Sequence, residues 1–334
     1  MELYKEAPDI GNKYRDKYLE GFLNVIKSRR QSADSQRDTY SKKIISNKEE
    51  CRKDFYEILG WPLFDEEDKK YNIEVIQQTE DDLCFIYRLQ LTTLKELTAY
   101  AMLFIPKAVK NPSVTLFSHG GGGTPELCAD FFGASNYNDM IRRLIRRGNA
   151  VLAPQLLLWQ PQFGKEFNRI QMDIQLKQVG SSVTAIEVFC FSRWIDYLLT
   201  RNDINAEKLT MAGLSYGGFY TLFTSACDVR IKGAYSSCFF NDRYKFDWED
   251  WTWFKAGLRF LDAEIAGFIC PRPLYIEVGS DDELFTPETA KKEAKKAAYF
   301  YQAENASDNF IFNIFKGTHE FDKENCGLDF LLRN

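Results

Sequence analysis

Histidine is nearly missing from this 334-residue chain, which holds two copies, His119 and His319. Chemistry that needs an imidazole base must use one of them, and a metal centre made of clustered histidines is ruled out. The eight cysteines (Cys51, Cys84, Cys128, Cys190, Cys227, Cys238, Cys270 and Cys326) contain no C-x-x-C pair, which argues against a metal site built on thiolates. Several stand in apolar runs, as Cys190 does in Val188-Phe189-Cys190-Phe191, and read as small buried hydrophobes kept reduced. An excess of positive charge is also lacking: the net charge is -5 and no basic stripe stands out, so a nucleic-acid partner is not expected. No stretch approaches the roughly 18 apolar residues of a membrane span, and the opening Met1-Glu2-Leu3-Tyr4-Lys5-Glu6 has no apolar signal core. The chain is therefore expected to be soluble and cytoplasmic, with no membrane partner.

Hydrophobic residues make up 45% of the chain and aromatics 15%, enough for a substantial core. In the first sixty residues Tyr18, Phe22, Leu23 and Ile26, then Phe55, Ile58 and Leu59, recur at helical spacing among charged residues until Gly60-Trp61-Pro62. Residues 1–62 are read as a helical N-terminal extension whose charged face is solvated, with partner binding as the alternative. Residues 63–334 are read as one domain. Three β-like runs at 73–77, 83–91 and 97–105 predict antiparallel strands at one edge of a sheet. From residue 113 onward, short apolar runs alternate with helical stretches, the pattern of parallel βαβ units. Strands are expected at 114–117, 150–153, 209–212, 232–235, 274–278 and 310–314, with helices at 136–147, 180–200, 217–227, 288–302 and 320–332. The fold class is α/β, a mostly parallel, doubly wound sheet.

Gly213-Leu214-Ser215-Tyr216-Gly217-Gly218 lies between an expected strand and an expected helix. A G-x-S-x-G match alone is weak, since three fixed residues at about 7% each give roughly 0.1 chance matches in such a chain. Its context strengthens it: a serine on a sharp strand-to-helix turn needs flanking glycines, because side chains there would strike the neighbouring strand and helix. The helix N-terminus behind it favours developing negative charge. Ser215 then needs a base. His319, in Gly317-Thr318-His319, follows the last expected strand and opens the last expected helix. His119 precedes the glycine run Gly120-Gly121-Gly122-Gly123, where backbone N–H groups can approach a ligand closely; no Lys-Ser/Thr follows to make it a P-loop. The orienting acid falls in Gly279-Ser280-Asp281-Asp282-Glu283, where three consecutive acids leave Asp281, Asp282 and Glu283 all open.

Together these four motifs, in this order, resemble the α/β-hydrolase superfamily, in particular dienelactone hydrolases, acetyl xylan esterases and the catalytic domain of prolyl oligopeptidases, over residues 70–334. A dienelactone hydrolase would carry cysteine at position 215, and a prolyl oligopeptidase a propeller for which there is no room. The resemblance implies a serine esterase with a Ser215, Asp282 and His319 triad and an oxyanion hole from the N–H groups of Tyr216 and of Gly120 or Gly121. It also implies a small or saccharide ester as substrate and no metal or cofactor. The aromatic segment 239–254, with Trp248, Trp251 and Trp253, is a candidate substrate wall that Trp159 could join; packing against the extension or a second subunit of a homo-oligomer is the alternative. Two other functions stay open, a serine aminopeptidase-like hydrolase and a catalytically silent interaction protein on the same scaffold.

Overall fold

Strands that are apolar along their whole length need cover on both faces, and this requirement arranges the molecule. The computed structural model describes residues 1–63, 72–246 and 248–333. Its helices are α1 (Asn12–Ser46), α2 (Lys48–Leu59), α3 (Pro125–Cys128), α4 (Met140–Arg146), α5 (Arg169–Gln178), α6 (Val183–Leu199), α7 (Tyr216–Cys227), α8 (Asp262–Ile269), α9 (Pro287–Ala303) and α10 (Cys326–Leu331). The strands are β1 (Ile73–Glu80), β2 (Cys84–Leu94), β3 (Leu97–Pro106), β4 (Ser113–Ser118), β5 (Ala150–Pro154), β6 (Asn205–Leu214), β7 (Gly233–Ser237), β8 (Leu274–Gly279) and β9 (Phe310–Phe315).

Among the described residues these strands form one sheet in the order β1-β2-β3-β5-β4-β6-β7-β8-β9. β1 to β3 and the β3/β5 pair run antiparallel, and the rest, from β5 through β9, are parallel. β5, β7 and β8 are buried along their whole length, whereas the edge strand β1 is almost entirely exposed. Two apolar clusters flank the sheet. One joins Trp194, Phe219 and Phe268 to Tyr40, Ile44, Phe55 and Leu59 of the N-terminal helices. The other gathers Phe117, Met140, Leu144 and Leu328 on the opposite face. The doubly wound α/β architecture with an antiparallel N-terminal edge is as the sequence led us to expect. No described helix is long and apolar enough to cross a membrane.

Several boundaries differ from expectation. The helix expected at 136–147 starts only at Met140, because Asn138 and Asp139 adopt left-handed backbone angles and Asn138 donates to the Phe321 carbonyl. The helix expected at 180–200 starts at Val183: Gly180 turns with φ +80° and the Ser182 hydroxyl accepts the Ala185 N–H at 3.0 Å. Ahead of it lies α5, which the sequence reading did not anticipate, capped by Asn168 through the Gln171 N–H at 2.9 Å. The last helix, expected from residue 320, is confined to Cys326–Leu331, and His319 sits in the loop before it rather than at its start. Residues 1–62 form two helices, of which the second half of α1 and α2 pack on the body, while in residues 1–32 every residue except Gly11 is exposed.

Candidate active site

Ser215, between β6 and α7, has φ 59° and ψ -121°, a conformation unfavourable for a residue with a side chain and costing about 1–3 kcal/mol. Close packing holds it there. Its N–H donates to the Ser237 carbonyl of β7 at 2.9 Å. A methyl group on Gly217 would stand 1.9 Å from the Ser118 carbonyl oxygen, and one on Gly213 would stand 2.3 Å from that of Gly217. β6 and α7 therefore meet β4 at a distance only glycine permits, and the turn that joins them has no slack.

At the same edge of the sheet, the loop after β8 presents Asp282 to the loop after β9. The Asp282 Oδ2 lies 3.0 Å from His319 Nδ1, and its Oδ1 accepts the N–H groups of Leu284 at 2.8 Å and Phe285 at 2.9 Å. Burial works to raise the Asp282 pKa, but the His319 contact and these N–H donors outweigh it and hold the carboxyl below its usual range. Asp281 and Glu283 are exposed; Asp281 binds Ser280 instead. The His319 ring lies nearly parallel to the buried Phe285 ring, 5.7 Å between centroids. Cys238, which follows β7, offers a sulfur within 4.8 Å of both the imidazole nitrogen and the Asp282 oxygen. Since Ser215 is hydrogen-bonded to the residue just before Cys238, the ring and the serine belong to one end of β6, β7 and β8. The His319 loop is tied down from outside by Asn136, which donates to the His319 carbonyl at 3.1 Å, and from beneath by Glu277, which accepts the Asp322 N–H at 3.0 Å and the Ser237 hydroxyl at 2.8 Å. Burial pushes the Glu277 carboxyl up to about 7 against those donors.

The glycine run lies against the serine: a methyl on Gly120 would reach within 3.3 Å of Ser215 Cβ. Its donors are mostly taken. Gly120 N–H goes to the Tyr137 hydroxyl at 2.7 Å, Gly122 N–H to the Leu158 carbonyl at 2.7 Å and Gly123 N–H to the Gly120 carbonyl at 3.2 Å. Among the described residues, the N–H groups of Gly121 and Tyr216 have no acceptor within hydrogen-bond distance, so of the two glycines considered as oxyanion donors only Gly121 has its N–H available. Tyr137 had no sequence signal, because its role depends on a contact seventeen residues away.

His119 is buried behind this loop. Leu156 N–H donates to its Nε2 at 2.9 Å, which leaves Nδ1 to carry the proton, 2.8 Å from the Gly120 carbonyl. Burial drives its pKa down to about 4, against the pull of the Gly120 carbonyl. Between that value and the unfolded value near 6.5 the unfolded chain binds the extra proton, so this residue's contribution to stability is complete above pH 6.5 and is lost as pH falls toward 4. Acidifying from pH 7 to 5 should cost the wild type on the order of 2 kcal/mol more than a His119→Gln variant in urea titrations; equal losses in both would contradict the neutral, buried imidazole.

No family model matches the sequence. A curated relative, YtaP of Bacillus subtilis, provisionally named a hydrolase, is 26% identical over 275 residues, covering 78% of this chain and 89% of the relative. Among solved structures, a Bacteroides fragilis protein provisionally named an acetyl xylan esterase superposes with a TM-score of 0.68 at 13% identity, covering 85% of this chain and 80% of that one. The fold is that of the α/β-hydrolases. A glucuronoyl esterase from Solibacter usitatus shares it at a TM-score of 0.61 and 14% identity, over 81% of this chain and 87% of that one.

The four tryptophans considered for a substrate wall, among the six of the chain, separate into different environments. Trp248 is 42% exposed and stacks on Tyr216, with ring centroids 6.1 Å apart. Trp251 is fully buried beneath it, against Phe219 and Phe239, and is a core residue rather than part of an open wall. Trp253 packs on Phe219 and Phe223 and under Lys177. Trp159 pairs its backbone with Gly122, packs at a tilt against Phe167 and borders a cavity of about 730 Å³ between α5, α6 and the ends of β3 and β5.

Proposed function

We propose that this α/β-hydrolase is a serine esterase that works through an acyl-enzyme, with Ser215 as nucleophile, His319 as base and Asp282 as the acid that orients it. The observation that carries this reading is the contact of His319 Nδ1 with the buried, hydrogen-bonded Asp282 at the strand ends where Ser215 sits on its strained turn. With the Nδ1 proton donated to Asp282, Nε2 is the free lone pair. It takes the proton of Ser215 Oγ as that oxygen attacks the ester carbonyl, and returns it to the departing alcohol; water then repeats the cycle on the acyl-enzyme. The N–H groups of Tyr216 and Gly121 receive the oxyanion, and the imidazolium is stabilised by a carboxylate that stays ionised. No step calls for a metal or cofactor.

The proposed substrate class is a short acyl ester on a small or saccharide alcohol, with acetyl as the first candidate, a choice supported by the similarity to a structure provisionally named an acetyl xylan esterase and by Trp248 over Tyr216. The test is a panel of acetyl, longer-acyl and aminoacyl-amide substrates, combined with labelling by a fluorophosphonate. Hydrolysis of the short esters and labelling at Ser215, both lost in Ser215→Ala, is the expected result. Folded wild type that neither labels nor turns over any of the panel would leave the silent-scaffold alternative standing.

A further inference from the structure

A buried arginine lies behind the two N–H groups assigned to the oxyanion. Arg169, the first residue of α5, is only 8% exposed and spreads its guanidinium over four acceptors. Nε donates to Asp250 at 2.8 Å, one terminal nitrogen to the Leu157 carbonyl at 3.1 Å and to Glu187 at 3.2 Å, and the other to the Tyr220 hydroxyl at 2.6 Å. Burial disfavours its charge, but Glu187, Tyr220 and Asp250 outweigh that and keep it protonated.

Each carboxylate leads to one half of the anion pocket. Asp250 accepts the hydroxyl of Tyr216 at 3.0 Å, and the same Tyr216 presents its N–H beside Ser215. Glu187 accepts the Leu157 N–H at 2.6 Å. On either side of Leu157, the Leu156 N–H holds the His119 ring and the Leu158 carbonyl holds the Gly122 N–H, so this short loop is the backing of the glycine run. We infer that Arg169 is a positioning residue that sets the spacing between the two oxyanion donors, through Asp250 to Tyr216 and through Glu187 and Leu157 to the loop carrying Gly121. The inference rests on the oxyanion assignment made above. A lysine could not substitute, because a single ammonium lacks the planar fork that reaches all four acceptors at once. The donors must sit within a few tenths of an ångström of the developing charge, and misplacement costs rate rather than ground-state binding.

The experiment uses Tyr216→Phe, Asp250→Asn, their combination and Arg169→Lys, each in the full chain and checked for native circular dichroism and unfolding midpoint. On a short acyl ester, each single substitution at 216 or 250 should lower kcat by about 10- to 100-fold with KM within about 2-fold of wild type. Binding of a trifluoromethyl ketone, whose adduct with Ser215 carries the same oxyanion, should weaken by the same factor as kcat. The combined variant should be no slower than the slower single one, because both act on one path. Arg169→Lys should match or exceed the larger loss. Wild-type kcat in folded Tyr216→Phe and Asp250→Asn, multiplicative losses, or a change in KM alone overturns the inference. If the changes at 169 or 250 prevent folding, Tyr216→Phe decides alone, since it removes one oxygen and leaves the Arg169–Asp250 pair in place. An active wild type with unaffected variants defeats only this inference, whereas a wild type inert on every ester defeats the esterase reading along with it.

Discussion

Asp282→Asn should lower kcat for ester hydrolysis by about 10⁴-fold while the protein remains folded. The reason is the direction of one hydrogen bond. Asp282 accepts from His319 Nδ1 and has its other oxygen occupied by two backbone N–H groups. Those donors keep the asparagine carbonyl on their side and turn its amide N–H₂ toward the ring, so Nδ1 must accept and the proton moves to Nε2. Nε2 can then no longer take the proton of Ser215. Steady-state kinetics of wild type, Asp282→Asn and Ser215→Ala check this, and a variant retaining about a tenth of wild-type kcat would remove Asp282 from its assigned role. Asp281→Asn is the comparison, and with that side chain exposed and bound to Ser280 it should leave kcat within about 2-fold. A low pKa for Asp282 also means that the stability its ionisation supplies is complete above the unfolded carboxylate value and disappears only as pH falls through the depressed folded one.

The largest expected effect on stability is that of Gly217→Ala, more than about 4 kcal/mol. Ser118 is paired with Gly213 in the β4/β6 ladder, so the carbonyl that a new methyl would strike cannot retreat without opening the centre of the sheet. Urea titration, or loss of soluble protein, reports the outcome. Gly21→Ala is the counterpart: it lies in exposed helix with nothing within 4 Å of the new methyl, and should cause no loss. If both substitutions cost the same, the tight crossing at the serine turn has been misjudged.

What could be read from the sequence, and what could not, divides by the range of the interactions. The parallel strands announced themselves as short apolar runs, and Ser215 stood out because its glycines mark a turn with no space for side chains. Asp282 could be ranked above Asp281 only by resemblance; the physical distinction, one buried and facing a ring and the other exposed, comes from folding. The helix expected from residue 320 failed because that stretch is tied instead to Asn136, Asn138 and Glu277, each more than forty residues away in the chain. Gly120 and Gly121 are alike in sequence and differ through the Tyr137 hydroxyl, which accepts the N–H of Gly120. The tryptophans of 239–254 formed one aromatic block in sequence, yet Trp248 faces solvent and Trp251 the core, a split that composition does not encode. Arg169 gave no sign of itself, since its partner Asp250 lies 81 positions further on.

The start of α1, through Lys27, projects from the body. Before Ala33 the side chains are exposed, with Arg30 lying over the Tyr244 ring, and Ala33, Arg37, Tyr40, Ser41 and Ile44 carry the helix's buried contacts. Cleavage by trypsin after Lys27 would therefore trim this projecting rod and leave the core seam intact, so that the shortened enzyme should keep its melting point and turnover as though a handle had been sawn off.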